Sequence, residues 1–150
     1  RRQLIGVYDK SLMEVVAETL MNLGTDRAMI IHSYDGMDEV SIFDKTYVIE
    51  IHNSKIMRYV IDPNDYFSCN STMSSIIAND AEQSLEMMLG VLKNYDSPAR
   101  MISLINAAAL VYISGEAESI DEGIKICAQA LKSNSVYEKL DKLIELTNSF

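Results

Sequence analysis

Two short apolar runs separated by one amphipathic segment constrain the first third of this chain more than any other feature of its sequence. The runs are residues 4–8 (LIGVY) and 28–31 (AMII), and the segment between them repeats apolar residues at helical spacing. Ser11 and Glu14 predict a capping box at the start of that helix, and Gly24 predicts a left-handed stop after it. A strand–helix–strand unit of this kind predicts two parallel strands joined by a right-handed crossover.

A second pair of β-type runs follows. Residues 46–51 (TYVIEI) and 55–61 (KIMRYVI) are joined by the short polar stretch 52–54 (HNS). Two such runs with a short turn between them predict an antiparallel hairpin. The sheet is therefore expected to be mixed, with a parallel part and a hairpin.

The second half of the chain predicts four helices. The helix that begins after Ser97 and runs to Gly115 is apolar nearly all round, so we expect it to be the central buried helix. Pairs of capping residues predict where the four helices begin: Asn79 with Glu82, Ser97 with Pro98, Ser119 with Glu122, and Ser135 with Glu138. The predicted fold class is α/β, with a mixed sheet packed by about five helices.

Length and charge bound the functional classes. A chain of 150 residues predicts one domain. The net charge of −9 argues against a nucleic acid as partner, because such binding depends on Lys and Arg that neutralise phosphates. An anionic substrate would also need a cation, or another segment, to supply positive charge.

Cysteine use and hydropathy suggest a cellular compartment. Cys69 and Cys127 lie far apart, and neither has a second Cys or a His at metal-ligand spacing. Cys127 lies in an apolar helical stretch, where we expect a reduced core thiol. Without a disulfide framework or an apolar run of about 18 residues, the sequence predicts a protein of the reducing cytoplasm that is not in a membrane.

Two adjacent carboxylates, Asp38 and Glu39, follow the second predicted strand after a short polar loop that contains Asp35 and Gly36. In an open α/β sheet, ligands bind beyond the carboxyl ends of the strands. Mg²⁺ is bound by one or two carboxylates together with substrate phosphates and water, so the pair suits this cation. The alternative interpretation is a solvated loop, because adjacent acidic residues are common on protein surfaces.

Other catalytic signatures are missing from the sequence. It contains neither common type of Gly-rich phosphate loop and no plausible Ser-His-acid or Cys-His set. His32 ends the second predicted strand, where a hydrogen-bonded structural role is expected, and His52 lies in the hairpin turn. These residues alone do not form a complete active site.

Several segments, in order along the whole chain, resemble the C-terminal α/β part of anthranilate phosphoribosyltransferase. The first group is residues 3–8 (QLIGVY) with Ser11-Leu12, then residues 30–33 (IIHS) and 35–41 (DGMDEVS). The second group is residues 98–100 (PAR), 106–112 (NAAALVY), 115–119 (GEAES) and 122–123 (EG). The acidic run and the Asn-Ala-Ala-Ala helix together make the resemblance specific.

The resemblance implies an activity and a site. Members of this family transfer phosphoribose from phosphoribosyl pyrophosphate to the amino group of anthranilate in tryptophan biosynthesis. By resemblance, Asp38 and Glu39 would bind the Mg²⁺ that meets the leaving pyrophosphate. The resemblance also implies a nucleoside phosphorylase/phosphoribosyltransferase-like fold and a homodimer that pairs through a separate helical domain.

The sequence departs from the family pattern in three respects. The family's Gly-rich phosphate loop and basic substrate segments are absent from these residues, its glycine pair is Ala78-Asn79 here, and its glycine after the strand histidine is Ser33. We therefore expect residues 1–150 to be a C-terminal piece of a larger transferase, inactive when isolated. The alternatives are a domain of a pyrimidine nucleoside phosphorylase-like enzyme and a non-catalytic binding paralogue.

Overall fold

The computed structural model describes residues 1–133 and 135–150. Within them, four strands and five α-helices follow one another in the predicted order. The strands are β1 (Arg2–Gly6), β2 (Arg27–Ser33), β3 (Thr46–His52) and β4 (Lys55–Ile61). The helices are α1 (Leu12–Asn22), α2 (Ala81–Leu92), α3 (Pro98–Ser114), α4 (Ile120–Lys132) and α5 (Ser135–Thr147).

The sheet is mixed, as the sequence predicts, with its strands in the order β1-β2-β3-β4. β1 pairs with β2 in parallel, and both β2–β3 and β3–β4 are antiparallel. The hairpin turn consists of Asn53 and Ser54, both with positive φ (51° and 59°), the conformation that matches the twist of two tightly joined strands. β1 begins and ends two residues earlier than predicted, and β2 extends by one residue before and two after the predicted run.

Each face of the sheet is covered by helices. On one face α1 buries Met13, Ala17 and Leu20 against β2 and β3. On the other face α3 buries Ile102, Ile105, Ala108, Ala109 and Ile113 in the larger core cluster, which includes Ile120 of α4. The expectation that α3 is the central buried helix is confirmed.

Some predicted helix caps form as expected. Ser97 accepts a hydrogen bond from the Arg100 amide, with Pro98 at the first helical position, and Ser119 accepts one from the Glu122 amide. The Glu122 carboxylate accepts from the Glu118 amide and not from that of Ser119. Gly24 has a φ of +73° and ends α1 as predicted.

Two other predicted helix starts, at Ser11 and Asn79, are wrong in their capping residue. The Ser11 hydroxyl makes no capping hydrogen bond to α1. The Ser11 amide, which Glu14 was expected to bind, donates instead to the Asp9 carboxylate. Glu14 binds Arg58. The cap of α2 is Asp80, one residue after the predicted Asn79.

Ser135 is the first residue of α5 and not the residue before it. Its hydroxyl donates to the Ala130 carbonyl, so it is used between helices. Position 134, immediately before α5, lies outside the described residues.

The outer helices α2 and α5 are much less buried than α1 and α3. Neither contains a fully buried residue, and Leu143, Ile144 and Leu146 of α5 are exposed. Among the described residues, no helix is both long enough and apolar enough to cross a bilayer.

Candidate functional site

The segment between β2 and β3, residues 34–45, forms a closed loop that we call the acidic loop. The Ser33 amide donates to the Met37 carbonyl at 2.9 Å, and the Met37 amide donates to the Asp35 carboxylate at 3.2 Å. The other Asp35 oxygen accepts from the Ser41 hydroxyl at 2.6 Å. Asp35 is therefore used to hold the loop together.

Residues 40–42 of the acidic loop are buried, and Ser41 is the centre of its hydrogen bonds. The Ser41 hydroxyl also accepts from the amides of Phe43 (2.9 Å) and Asp44 (3.3 Å), while the Ser41 amide donates to the Thr46 hydroxyl (3.1 Å). Ser33 is buried, and its hydroxyl donates to the Lys45 carbonyl. These bonds make the loop a defined structure.

Asp38 and Glu39 are the exception within this loop. Both are exposed, and among the described residues neither side chain makes a hydrogen bond or an ion pair. Both line a cleft of about 380 Å³ between the end of β1, the acidic loop and α3, which we call the carboxylate cleft. The two residues that the sequence predicted as metal ligands thus face one opening.

Two contacts flank the carboxylate pair. On the β1 side, Gly6 lies so close to the loop that a Cβ there would be 1.6 Å from the Asp38 carbonyl oxygen. On the α3 side, the Asn106 side chain accepts from the Val40 amide and donates to the Val40 carbonyl, both at 2.9 Å. A strand end and a helix, far apart in sequence, therefore determine where the pair lies.

A larger apolar cavity of about 640 Å³ adjoins the cleft and lies between α2, α3, α4 and α5. The two openings share Glu39, Ile102 and Ser103. Cys127 lines this cavity as a free, half-buried thiol and not as the core residue predicted, and burial raises the pKa of the thiol.

The two histidines do not belong to the cleft. The His32 ring donates from Nδ1 to the Val7 carbonyl at 2.8 Å, which ties β2 to the residue after β1. This is the hydrogen-bonded structural role expected for it. His52 ends β3 beside the hairpin turn.

A buried polar network was missed by the sequence analysis. Glu50 of β3 is 1 % exposed and accepts hydrogen bonds from Arg27 (3.2 and 3.1 Å), Tyr59 (2.8 Å) and Tyr112 (3.1 and 3.2 Å). Arg27 also stacks on the Tyr112 ring, 4.0 Å from its centroid. The available signal was a single carboxylate within an otherwise apolar strand.

The tyrosines of this network carry shifted pKa values. Burial, followed by the negative charge of Glu50, raises the pKa of both Tyr59 and Tyr112 above the ordinary value of a phenol. Both side chains therefore stay neutral donors to Glu50 well into the alkaline range. This network lies between the sheet and α3, and it supports the fold.

Comparison with known proteins supports the resemblance. The family described as "Glycosyl transferase family, a/b domain" matches residues 1–136. Anthranilate phosphoribosyltransferase from Thermoanaerobacter sp. (strain X514) is 37% identical over 143 residues, which is 95% of this chain and 42% of that protein. The enzyme of the same name from Methylobacillus flagellatus is 38% identical over 99% of this chain and 44% of its own length.

Solved structures share the fold. Anthranilate phosphoribosyltransferase from Saccharomyces cerevisiae in complex with PRPP and Mg superposes with a TM-score of 0.87 at 22% identity, covering 99% of this chain and 43% of that one. The enzyme of the same name from Thermus thermophilus gives a TM-score of 0.80 at 22% identity, over 91% of this chain and 40% of that one.

The chain spans less than half the length of the relatives it matches. Over nearly all of its own length, however, the sequence match and the mixed sheet with its five helices agree. The chain therefore belongs to the family described as "Glycosyl transferase family, a/b domain" and is similar to part of anthranilate phosphoribosyltransferase.

Proposed function

We propose that this chain is the metal-binding part of a phosphoribosyltransferase that moves phosphoribose from phosphoribosyl pyrophosphate to anthranilate in tryptophan biosynthesis. The observation that carries the proposal is the exposed pair Asp38 and Glu39, without side-chain partners among the described residues and at the mouth of one cleft. The similarity to enzymes of that name supports the choice of reaction. The complete enzyme would act in the cytoplasm and pair as a homodimer through a helical domain.

The residues at the cleft suit Mg²⁺, which binds few protein ligands, better than they suit a metal ion whose ligands all come from protein side chains. Among residues 1–133 and 135–150, no group of three or more Asp, Glu, His or Cys side chains is placed to enclose an ion. Mg²⁺ keeps several waters and takes one or two carboxylates plus substrate phosphates. Asp38 and Glu39 would therefore hold it, with the remaining positions left to water and the diphosphate.

Cleavage of the bond between ribose and pyrophosphate develops negative charge on the leaving group. A bound Mg²⁺ would supply the positive charge that stabilises it. Asp38 and Glu39 would hold and orient that charge, while Gly6 and Asn106 keep the two residues at the mouth of the cleft. With a net charge of −9, the chain itself would otherwise repel a diphosphate.

The same reasoning leads us to propose that residues 1–150 alone do not turn over substrate. The family's phosphate loop and basic substrate segments have no counterpart in this sequence. An assay of the isolated chain with both substrates and Mg²⁺ should give no product above background. Clear turnover would contradict this proposal.

The decisive test of the metal site uses the intact transferase with Asp38→Asn and Glu39→Gln made separately. Each should lower kcat/KM by roughly 100-fold, because a catalytic metal stabilises the transition state by several kcal/mol and about 1.4 kcal/mol is a factor of ten. Asp44→Asn is the matched control, since Asp44 is an exposed carboxylate of the same loop that does not line the cleft. If all three variants keep wild-type kinetics, the proposed site is wrong.

A further inference from the structure

The Asn106 side chain holds the backbone of the acidic loop immediately after the carboxylate pair. Its Oδ1 accepts from the Val40 amide and its Nδ2 donates to the Val40 carbonyl, so one side chain binds both backbone groups of one residue. The same Nδ2 donates to the Ile102 carbonyl one turn earlier in α3, at 2.9 Å. The loop is thereby fixed to the central helix of the fold.

The position of this contact matters because exposure changes abruptly at Val40. Asp38 and Glu39 are exposed, whereas Val40 and Ser41 are completely buried. The loop's hydrogen bonds before Asp38, and those of Ser41, are made within the loop and with its flanking strand residues. The bonds to Val40 come instead from a helix 66 residues away in sequence.

We propose that Asn106 is a positioning residue for the metal site, a role that rests on the proposed function. It does not need to touch the ion. By fixing Val40, it presents the Glu39 and Asp38 carboxylates to the cleft before any ion binds, while Gly6 limits movement on the opposite side. Groups that orient metal ligands in this way typically affect metal affinity or activity by about 10–100-fold when they are removed.

The first measurement is the binding of Mn²⁺ alone to the intact transferase and its variants, by electron paramagnetic resonance. The second is the Mg²⁺ concentration that gives half-maximal activity. Asn106→Ala should weaken Mn²⁺ binding about tenfold or more. The half-maximal Mg²⁺ concentration should rise correspondingly, and excess Mg²⁺ should restore much of the activity. Asn106→Gln keeps the amide but moves it by one methylene, so it should show the same defect in a milder form. This variant carries the test if Asn106→Ala does not fold.

The matched control is Ile113→Ala, which removes a buried side chain of α3 nearly two turns beyond Asn106 and outside the cleft. It should destabilise the protein without changing Mn²⁺ affinity. Equal metal defects in the Ile113 and Asn106 variants, or no metal defect in the Asn106 variants, would overturn the positioning role. The double variant Asp38→Asn/Glu39→Gln separates the two proposals, because normal Mn²⁺ binding there would refute the metal site itself and not only the role of Asn106.

Discussion

Glu50 and the Asp38–Glu39 pair place carboxylates in opposite surroundings within one small domain. Glu50 is almost fully buried and is surrounded by one guanidinium and two phenol donors. Asp38 and Glu39 are exposed at a cleft, and among the described residues no donor contacts their side chains. A carboxylate whose oxygens are all occupied supports structure, whereas an exposed pair without partners retains its capacity for a cation.

Removal of Glu50 should give the largest loss of stability. Glu50→Ala leaves Arg27 charged, nearly buried and without its counter-charge, which typically costs about 3–5 kcal/mol of unfolding free energy. Urea unfolding followed by circular dichroism measures this. Glu14→Ala, at an exposed carboxylate, is the control and should be close to wild type. Equal stability of the two variants would show that the buried network contributes nothing to folding.

The contact between Gly6 and the acidic loop should give the next largest effect. In Gly6→Ala the new methyl overlaps the Asp38 carbonyl, so the loop must move, and overpacking of this kind costs about 3 kcal/mol. Urea unfolding tests the stability, and Mn²⁺ binding tests the displacement of Asp38.

Gly90→Ala is the matched control for that substitution. A Cβ there meets only the Tyr95 ring at 3.7 Å, within a helix, where alanine is favoured over glycine. It should be neutral or stabilising. A Gly6 variant that behaves like the Gly90 variant would contradict the close approach of β1 to the loop.

Alkaline pH should lower the stability of the fold through the buried tyrosines of the Glu50 network. The pKa of Tyr59 is raised by burial and by Glu50, so above the ordinary phenol pKa of about 10 the unfolded chain releases a proton that the folded chain keeps. Stability is therefore fully present below about pH 10 and falls above it, by roughly 1.4 kcal/mol per pH unit for one tyrosine. Urea unfolding at pH 9, 10 and 11 should show a shallower fall in Tyr59→Phe, and an identical slope would argue against the shift.

The smallest effect on stability should come from the carboxylate pair itself. Asp38→Asn and Glu39→Gln remove no hydrogen bond or ion pair among the described residues, so the unfolding free energy should stay within about 0.5 kcal/mol of wild type. Thermal and urea unfolding without metal measure this. A loss comparable to that of Glu50→Ala would mean that the pair supports the fold, and would remove the contrast between the two regions.

The fold was largely predictable because its signals are local. Helical spacing, alternating strands, the Ser97 and Ser119 caps and the left-handed Gly24 each depend on a few neighbouring residues, and the structure confirms them. The wrong capping boxes show the limit of such signals. Asp9 accepts from the Ser11 amide, which a capping box assigns to Glu14, and Asp80 caps α2 through the Gln83 amide one residue after the predicted position. Motif spacing alone does not decide between such adjacent candidates.

The sequence points to Asp38 and Glu39 as candidate site residues, but not to the contacts that hold them in place. Asp38 and Glu39 stand out as neighbouring acids after a strand, and the family resemblance points to the same residues. Their anchors, Gly6 and Asn106, could not be assigned from spacing, since each meets the loop only after the chain has folded. The Glu50 network was missed for the same reason, because Arg27, Tyr59 and Tyr112 lie on three different elements.

The sequence by itself determined the order and type of the elements, the family and the presence of two adjacent acids after β2, because periodicity, capping and motifs act over short stretches of chain. Only the tertiary structure decided which of these carboxylates have hydrogen-bond donors around them and which face a cleft. Asp35, Asp38, Glu39 and Glu50 have the same ionisable group, and what distinguishes them is the set of donors that packing brings to each from distant segments.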